Sequence, residues 1–433
     1  RQMCIRDSII TTKQGDQNTK ATVKVKASLG GSNRAVRDYD RVSTDQYFEL
    51  YWEALRNQYA KSADYTPATA AAQASKDLVT KLMGGGPNPY GPQYAQPVGT
   101  DGKLVADARP LWNSDWSDAM EQQALRTELN LSVSGGGKAN QYFFSAGYLN
   151  DKGIALESGY QRFNLRLTNK LKVFDNFSIE SVIAYNRQDQ EAPSQLNRTL
   201  TSSYPQPGLP ASTIDGKPYS WGTWLSPIWF AELGGDNKLK VSEINISEKF
   251  TYNINKHLDV VANLGYNSGV ASRDIKKMAI TSYNYAGTKI NTKADGYKQE
   301  ESSYEKTSSR TDFYSMAGYV DYHNTFAQHH NVSAMVGTQY ELKEYDYFGV
   351  SVKDIQNSLE TVNGAGLVNL TDKHGTKWHE AVMSYYSRLN YNYKSKYLLE
   401  VNMRYDGSSK FKPENRWDFF CLLYTSDAAD EAR

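Results

Sequence analysis

The side chains that could perform chemistry are few and scattered. Of the six histidines, only His329-His330 form an adjacent pair. Successive residues of an extended chain point to opposite sides, so these two are poorly placed to share a metal ion. His379-Glu380 lacks the second histidine of an HExxH zinc motif, and neither a GxSxG motif nor a P-loop is present. We therefore predict no catalytic centre, no metal site and no cofactor, and we do not expect an enzyme.

The composition excludes some partners and suggests a membrane boundary. The 433 residues carry 49 basic and 48 acidic side chains, a net charge of +1, so no global field favours nucleic acid. No stretch approaches the roughly 20 apolar residues of a membrane helix. A transmembrane β-barrel escapes that test because its strands alternate lipid-facing with lumen-facing residues. The 32 tyrosines against 14 phenylalanines suit a water–lipid boundary, although a soluble β-rich protein remains open on composition alone.

The two ends of the sequence differ from the rest. Arg1–Ser8 and Cys421–Arg433 share no pattern with the intervening chain and resemble translated sequencing-adaptor read-through. We expect both ends, with the two cysteines Cys4 and Cys421, to be artefacts. No signal peptide is visible at the N-terminus, although an exported protein requires one.

Period-2 alternation of apolar and polar residues predicts about eleven strands. In Leu125–Ser134, for example, Leu129, Leu131 and Val133 share one face. The predicted strands are Thr22–Gly30, Leu125–Ser134, Gln141–Leu149, Gln161–Val173, Phe177–Arg187, Lys240–Ile254, Leu258–Gly269, Arg310–His323, His330–Tyr345, Ala381–Tyr393 and Tyr397–Arg404.

The connections between these strands are asymmetric. Short turns, such as Asp175-Asn176 and Lys394–Lys396, alternate with long polar loops. The long loops are Ser32–Ala124, Gln188–Leu239, Ala271–Ser309 and Asp346–Glu380. Short periplasmic turns alternating with long extracellular loops are typical of an outer-membrane barrel, and strands of about 10–15 residues are long enough to cross.

The two faces of the predicted strands differ in polarity. Tyrosines lie towards the strand ends of the apolar face, as an aromatic girdle requires; they are Tyr185, Tyr252, Tyr266, Tyr322, Tyr340, Tyr393 and Tyr397. We assign several charged side chains to the polar face, namely Arg166, Glu180, Glu248, Arg388 and Glu400. Buried in a sandwich core, each would cost several kcal/mol unless paired, whereas a barrel lumen hydrates them. We therefore predict an all-β fold, a transmembrane antiparallel β-barrel.

Two short helices are predicted within the first long loop. The segment Ser43-Thr44-Asp45-Gln46 has the residues of a capping box that opens a helix over Asp45–Tyr59. A second, alanine-rich helix is expected over Ala68–Leu82 until Gly84-Gly85-Gly86 stops it.

The loop Gln188–Asp236 is the principal candidate for binding, because it is rich in proline and aromatic residues. Flat aromatic faces suit sugar rings or a partner protein, but the same residues could instead pack against one another. Both interpretations stay open, with partner contact favoured over direct ligand contact. The candidates are Tyr219, Trp221, Trp224, Trp229 and Phe230, together with Trp112 and Trp116 in the first loop.

Several motifs resemble the SusC/RagA family of TonB-linked outer-membrane proteins. Ile9–Gly15, with Thr11, Thr12, Lys13 and Gly15, resembles the segment where the family's plug meets its barrel. The most specific match is KYLLEVNMRYDGSSKF followed by Arg416-Trp417. Its hallmark residues are Arg404, Asp406, Gly407, Ser408, Ser409 and Phe411. We favour a structural role for the Asp-Gly-Ser-Ser bend over a binding loop.

The resemblance implies a domain arrangement. Family barrels have 22 strands, so about half of a barrel is expected, with residues 9–15 ending the plug and 16–420 forming the N-terminal part of the barrel. Residues 1–8 and 421–433 would be artefacts. The signal peptide, the N-terminal accessory domain, the TonB box and most of the plug are not in the sequence.

The resemblance also implies a function, located in the outer membrane among its lipids. It implies TonB-dependent active import of oligosaccharides or peptides, with a SusD-like surface lipoprotein as lid. Energy would come from the TonB–ExbB–ExbD complex through the TonB box. The alternatives are a siderophore or vitamin receptor, a surface adhesin on a passive barrel, and a soluble β-rich binding protein.

Overall fold

The computed structural model describes residues 15–33, 42–82, 94–95, 109–110, 112–196, 207–213, 215–221, 224–283, 287–290, 302–355 and 368–427. Most of these residues belong to one antiparallel sheet of twelve strands, in which each strand pairs with its neighbours along the chain. The strands are β1 (Thr19–Ser32), β2 (Ala124–Gly136), β3 (Asn140–Lys152), β4 (Gly159–Phe174), β5 (Phe177–Pro193), β6 (Asp236–Asn255), β7 (Leu258–Lys277), β8 (Ser303–Phe326), β9 (His330–Lys353), β10 (Val368–Tyr393), β11 (Tyr397–Ser408) and β12 (Trp417–Asp427). This all-β meander confirms the predicted fold class, and all eleven predicted strands are present.

The twelfth strand lies where the sequence analysis placed none. Residues 417–427 form β12 and pair with β11 from Gly407↔Trp417 to Tyr397↔Asp427. Part of β12 falls within the segment that we predicted to be an artefact; that prediction, like the domain boundaries, stays a prediction. In the described residues β1 and β12 each pair on one side only.

The strands at the loop end are longer than expected, so the predicted loop bounds are wrong. β8 and β9 have 24 residues each, and β10 has 26. Much of the predicted loop Ala271–Ser309 is therefore strand. In the extensions of β7 and β8 both faces are largely polar, so the alternation that marks a strand in the sequence disappears there. Backbone pairing needs no such alternation and continues through them.

At the opposite ends of the strands, tight turns join neighbouring strands, as predicted. Asp175-Asn176 joins β4 to β5, and residues 394–396 join β10 to β11. Lys394 and Ser395 both have positive φ, 50° and 55°, the backbone twist that suits a tight hairpin. The β8–β9 turn is shorter than predicted and occupies residues 327–329.

The two predicted helices are present in the first long loop. They are α1 (Thr44–Tyr59) and α2 (Pro67–Leu82), and two further short helices are α3 (Trp116–Ala119) and α4 (Pro227–Glu232). The capping box is confirmed, since Gln46 N donates to Ser43 Oγ at 3.3 Å and Ser43 N donates to Gln46 Oε1 at 2.9 Å. No helix in the described ranges is long and apolar enough to cross a membrane.

α1 and α2 pack as a hairpin. Phe48 and Leu78 form its buried centre, and the Trp52 indole donates to Ser75 Oγ at 3.0 Å. At the end of α1, Tyr59 donates to Asp77, and this hydrogen bond raises the pKa of the phenol.

Burial is distributed in the opposite way to that of a soluble β-protein. Large apolar side chains of the sheet are exposed, including Val25 at 67%, Val336 at 66% and Met316 at 51%. The buried apolar clusters instead lie in the connections and strand ends on the long-loop side. A continuous exposed apolar face on a pleated sheet is the surface that lipid covers.

The upper limit of this apolar band is visible in the strand register. Ile246, Tyr266, Tyr314 and Leu342 lie side by side on β6 to β9. Two residues further along each strand towards the long loops, the same face carries Ser268, Asp312, Glu344 and His379 instead. The change from apolar to charged residues within one row marks a membrane–water boundary.

Aromatic rings border the band at both limits. On the loop side, the rings of Tyr266 and Tyr314 are 5.1 Å apart. On the turn side, His330 and Tyr393 are 4.8 Å apart. On β8 the band runs from Tyr314 to Tyr322, about 27 Å along the strand, or roughly 21 Å after a tilt of about 40°. That height is close to the apolar band of roughly 25 Å in outer-membrane barrels.

One predicted charge lies on the wrong face. We assigned Glu248 to the polar face, but on β6 it alternates with Ile246 and Phe250 and therefore belongs to the apolar band. Ser181 of β5 lies opposite and donates its hydroxyl to Glu248 Oε2 at 2.6 Å. This hydrogen bond gives the carboxylate one polar partner within an otherwise apolar row.

The other face of the sheet is polar. The predicted charges Arg166, Glu180, Arg388 and Glu400 lie there, as register partners of Ser145, Lys170, Asn402 and Asn390. Lys170 Nζ lies 2.7 Å from Glu180 Oε1. We call this the lumen face. Because its charged groups meet water or an oppositely charged partner, they do not bear the free-energy cost of a buried charge.

Candidate functional site: the loop layer and the lumen face

The long connections pack on one another to form a layer, which we call the loop layer. It comprises the described residues of the connections β1–β2, β3–β4, β5–β6, β7–β8 and β9–β10. All of these connections lie at the same end of the strands. It contains most of the buried apolar side chains of the described chain.

The first connection is tied to the third and the second. Ser114 N donates to Pro207 O and Ser114 Oγ to Leu209 O, both at 2.8 Å. Gln122 N donates to Ile154 O at 2.9 Å, and its side-chain amide donates to two further carbonyls of the β3–β4 connection. All of these bonds are accepted by backbone carbonyls; two of the donors are backbone N–H groups, and the others are the side chains of Ser114 and Gln122.

The third connection is tied to the fourth. Tyr283 N donates to Pro218 O at 2.8 Å, and Tyr219 forms a parallel bridge with Tyr283. Lys217 Nζ lies 5.0 Å from the centre of the Tyr283 ring, a cation–π contact. Ile280 packs into the cluster of Leu225 and Phe230.

The fourth connection is tied to the fifth. Met278 and Tyr304 pack with Val352 and Ile355, and Ser302 Oγ donates to Ile355 O at 2.8 Å. The contacts therefore run without interruption from the first connection to the fifth. The loop layer is a folded unit with its own apolar clusters.

The aromatic candidates divide into groups by burial. Tyr219, Trp116 and Phe230 are 0%, 2% and 4% exposed, so their rings pack inside the loop layer. Trp229 is half-buried and donates its indole N–H to Ala211 O at 2.8 Å. For these four residues the structure shows the packing contacts; a binding role for any of them stays a prediction.

The remaining three candidates lie at the margins of the described chain. Trp112 is half-buried, and its carbonyl accepts from Thr44 Oγ1 at 2.8 Å, which joins the α1–α2 hairpin to the loop layer. The backbones of Trp221 and Trp224 pair in a two-residue hairpin, Ser220–Trp221 with Trp224–Leu225. Their side chains lie outside the described part.

The Arg-x-Asp-Gly-Ser-Ser hallmark closes on itself at the end of β11. Arg404 Nε donates to Asp406 Oδ1 at 2.7 Å, and its Nη2 donates to Ser384 Oγ of β10 at 2.8 Å. Ser408 N donates to Arg416 O at 3.0 Å, and Ser409 Oγ accepts from Ala381 N at 2.8 Å. These contacts end the strand and start the return to β12; the structural role that we favoured for the hallmark stays a prediction.

A side chain at position 407 is excluded for a steric reason. A Cβ at this position would lie 2.5–2.8 Å from ring carbons of Trp417. The Trp417 ring stacks on Tyr405 at 5.0 Å and on Tyr385 at 6.0 Å. The glycine therefore lets an aromatic stack form against the backbone. Phe411, the last hallmark residue, is 59% exposed.

The other resemblance motif is only partly described. A Cβ on Gly15 would lie 2.3 Å from Gly135 O and 2.4 Å from Tyr142 O, so the chain enters β1 in close contact with β2 and β3. Thr11, Thr12 and Lys13 lie outside the described residues. Within the described ranges, no group of three His, Cys, Asp or Glu side chains is placed to hold a metal ion.

The sequence analysis missed one set of lumen-face residues. Tyr345 and Trp378 are register partners on β9 and β10 and stack at 5.3 Å. Trp378 was assigned to the predicted loop Asp346–Glu380, where the sequence has no alternation that indicates a strand.

Comparison with known proteins agrees with this architecture. No family model matches the chain. TonB-dependent receptor P39 of Formosa agariphila is 26% identical over 345 residues, covering 76% of this chain and 30% of the relative. TonB-dependent receptor SusC of Bacteroides thetaiotaomicron is 23% identical over 369 residues, covering 76% of this chain and 33% of the relative. The chain thus spans about a third of the length of these curated relatives.

A solved structure shows the same fold. The RagAB peptide importer in its closed-closed state superposes with a TM-score of 0.68 at 18% identity, covering 95% of this chain and 45% of the matched chain. The fold and the membrane band define the class, an outer-membrane β-barrel of the TonB-dependent receptor type. Within this class, the chain is similar in sequence to SusC and in fold to the RagAB importer.

Proposed function

We propose that this chain is the N-terminal part of the barrel of a TonB-dependent importer of oligosaccharides or peptides. In this proposal a SusD-like surface lipoprotein covers the loop layer, and the TonB–ExbB–ExbD complex drives uptake through a TonB box. The lumen face supplies a hydrated path, and the loop layer supplies selectivity. No bond of the substrate is broken.

The observation that carries the proposal is the loop layer. Five connections hold each other through backbone hydrogen bonds and apolar clusters, so the layer presents a preformed surface at the extracellular edge. A preformed surface lowers the ordering cost of binding a protein partner. An adhesin needs no TonB linkage, and a siderophore receptor needs no lipoprotein lid.

The relatives' names support the same class of function. One solved neighbour is described as a peptide importer, and one curated relative is SusC. Both names concern those proteins, and the substrate of this chain is open between the two classes.

The test uses the full-length receptor in its native outer membrane. The receptor is purified in mild detergent through an affinity tag, and co-purifying lipoproteins are identified by mass spectrometry. Uptake of labelled oligosaccharides and peptides is then compared between wild-type cells and cells without TonB. A stoichiometric lipoprotein and TonB-dependent uptake are expected. Uptake of iron chelates without any lipoprotein would favour the siderophore alternative, and uptake that ignores TonB would refute the proposal.

A further inference from the structure

The tight turns at the strand ends opposite the loop layer are basic. They occupy residues 137–139, 175–176, 256–257, 327–329 and 394–396. Four lysines lie in these turns, namely Lys138, Lys256, Lys394 and Lys396. Asp175 is the one carboxylate among the described turn residues, and it pairs with Lys172 at 2.8 Å. The whole chain carries 49 basic and 48 acidic side chains, so the excess of cations is a property of this end of the strands.

At the other limit of the apolar band the cations have carboxylate partners. Arg310 Nε lies 2.7 Å from Asp312 Oδ2, and Lys306 Nζ lies 3.1 Å from Asp274 Oδ1. The four turn lysines have no carboxylate within ion-pair distance in the part of the chain that the structure describes. Positive charge without a partner at a membrane surface attracts anionic headgroups.

One turn brings two of these lysines to the border of the apolar band. Lys394 Nζ lies 5.4 Å from the centre of the Tyr393 ring. The Tyr393 ring stacks on Tyr397 at 6.4 Å, on the lipid side of β10 and β11. Aromatic rings at the border of a barrel lie at the level of the lipid headgroups. The Lys394 ammonium is therefore at that level, and Lys396 is exposed in the same turn.

His330 adds an imidazole beside Lys394. Its ring centre lies 4.8 Å from that of Tyr393, and its Nδ1 lies 2.7 Å from the Tyr391 hydroxyl oxygen. Lys394 N donates to the His329 carbonyl at 3.0 Å, which holds the β8–β9 and β10–β11 turns together. Among the described residues Nε2 of His330 has no hydrogen-bond partner. This nitrogen carries the proton when the Tyr391 hydroxyl donates to Nδ1.

The surface next to these cations is apolar. Among the described residues of β8 to β11, the lipid side carries no carboxylate between the turns and the charged row of Asp312 and Glu344. Phe326 is 47% exposed and Leu389 is 40% exposed on this side. A molecule that satisfies both features needs an anionic head and an apolar tail, whereas inorganic phosphate has only the anionic group.

We propose that Lys394, Lys396 and His330 form a binding site for the headgroup of an anionic phospholipid in the periplasmic leaflet. The phosphodiester oxygens accept charge-assisted hydrogen bonds from the lysine ammonium groups, and the acyl chains lie on the apolar face of β8 to β11. A zwitterionic lipid carries its own cation beside the phosphate, so a headgroup with net negative charge is preferred. The site fixes the depth of the barrel in the membrane and does not depend on the imported substrate.

The test is lipid binding by the full-length receptor, purified in detergent from the native outer membrane and delipidated. Native mass spectrometry counts the bound lipids and gives a Kd for phosphatidylglycerol and for phosphatidylcholine. We expect phosphatidylglycerol to bind more tightly. Lys394→Gln/Lys396→Gln should weaken its binding about 25-fold, because each lysine near a membrane surface contributes about fivefold. Binding of phosphatidylcholine should not change.

Two further double variants act as controls. Lys394→Arg/Lys396→Arg keeps both charges and should remain within about threefold of wild type. Lys24→Gln/Lys26→Gln removes the same charge at the same spacing from the lumen face of β1, where these lysines are register partners of Ser132 and Asn130. It should leave phosphatidylglycerol affinity unchanged. Heat-modifiable gel migration checks that each variant is folded.

Four outcomes would overturn the site. The first is equal affinity of the wild-type receptor for phosphatidylglycerol and phosphatidylcholine. The second is unchanged phosphatidylglycerol affinity in Lys394→Gln/Lys396→Gln, and the third is an equal loss in this variant and in Lys24→Gln/Lys26→Gln. The fourth is complete displacement of the lipid by excess inorganic phosphate at constant ionic strength, which would indicate a site for a free anion. Retention of the lipid under that competition supports a phospholipid.

Discussion

Placing an arginine at Val336 tests the membrane band directly. Val336 lies on β9 midway between His330 and Leu342, which border the band, and it is 66% exposed. An arginine on the lipid face at the midplane costs roughly 2–4 kcal/mol. A cost of about 2.8 kcal/mol lowers the ratio of folded to unfolded protein about a hundredfold. We expect Val336→Arg to reduce assembly of the receptor into the outer membrane.

The control uses the same strand and the opposite face. Ser333 is three residues away, lies on the lumen face and is the register partner of Asn390, so Ser333→Arg should be hydrated and tolerated. Assembly is measured by heat-modifiable migration and by surface labelling of cells. The free energy of unfolding is measured by urea titration in lipid vesicles. Equal losses in both variants, or a larger loss in Ser333→Arg, would refute the assignment of the faces.

Three further predictions address local packing. Gly407→Val should lower the melting temperature because its Cβ would meet the Trp417 ring at 2.5 Å, whereas Gly137→Val has open space and should change little; equal effects would contradict this. Glu248→Leu should raise the urea midpoint, because it removes a charge from the apolar band and costs only the Ser181 hydrogen bond; a lower midpoint would contradict the placement of Glu248. Tyr219→Ala should loosen the packing of the loop layer, since the ring is fully buried and large-to-small changes of buried aromatics cost roughly 3–5 kcal/mol. We expect faster amide hydrogen exchange in the third connection and unchanged exchange in β8. An equal change in exchange rate in both segments would contradict the prediction.

The helices illustrate what local sequence specifies. The Ser43–Gln46 capping box and the alanine-rich second segment predicted α1 and α2 to within one residue at each start. Both signals depend on contacts within a few residues of the chain. Such contacts are encoded locally and need no knowledge of the sheet.

The loop layer illustrates the opposite case. The sequence left two roles open for the aromatic loop, contact with a partner and packing within the loop. Tyr219, Trp116 and Phe230 are buried because residues from other connections cover them. Distant contacts of this kind leave no periodic pattern, so composition alone cannot distinguish an exposed ring from a covered one.

The sequence by itself determined the strands that cross the membrane, the tight turns and the polarity of the two faces, because alternation within one strand directly encodes which side meets lipid. Only the tertiary structure decided where the strands end, which residue hydrogen-bonds to Glu248 and which aromatic rings stay exposed. The physical reason is the pairing register. This register is set by hydrogen bonds between strands and continues through segments that have polar residues on both faces. It also brings Tyr345 beside Trp378, from positions 33 residues apart.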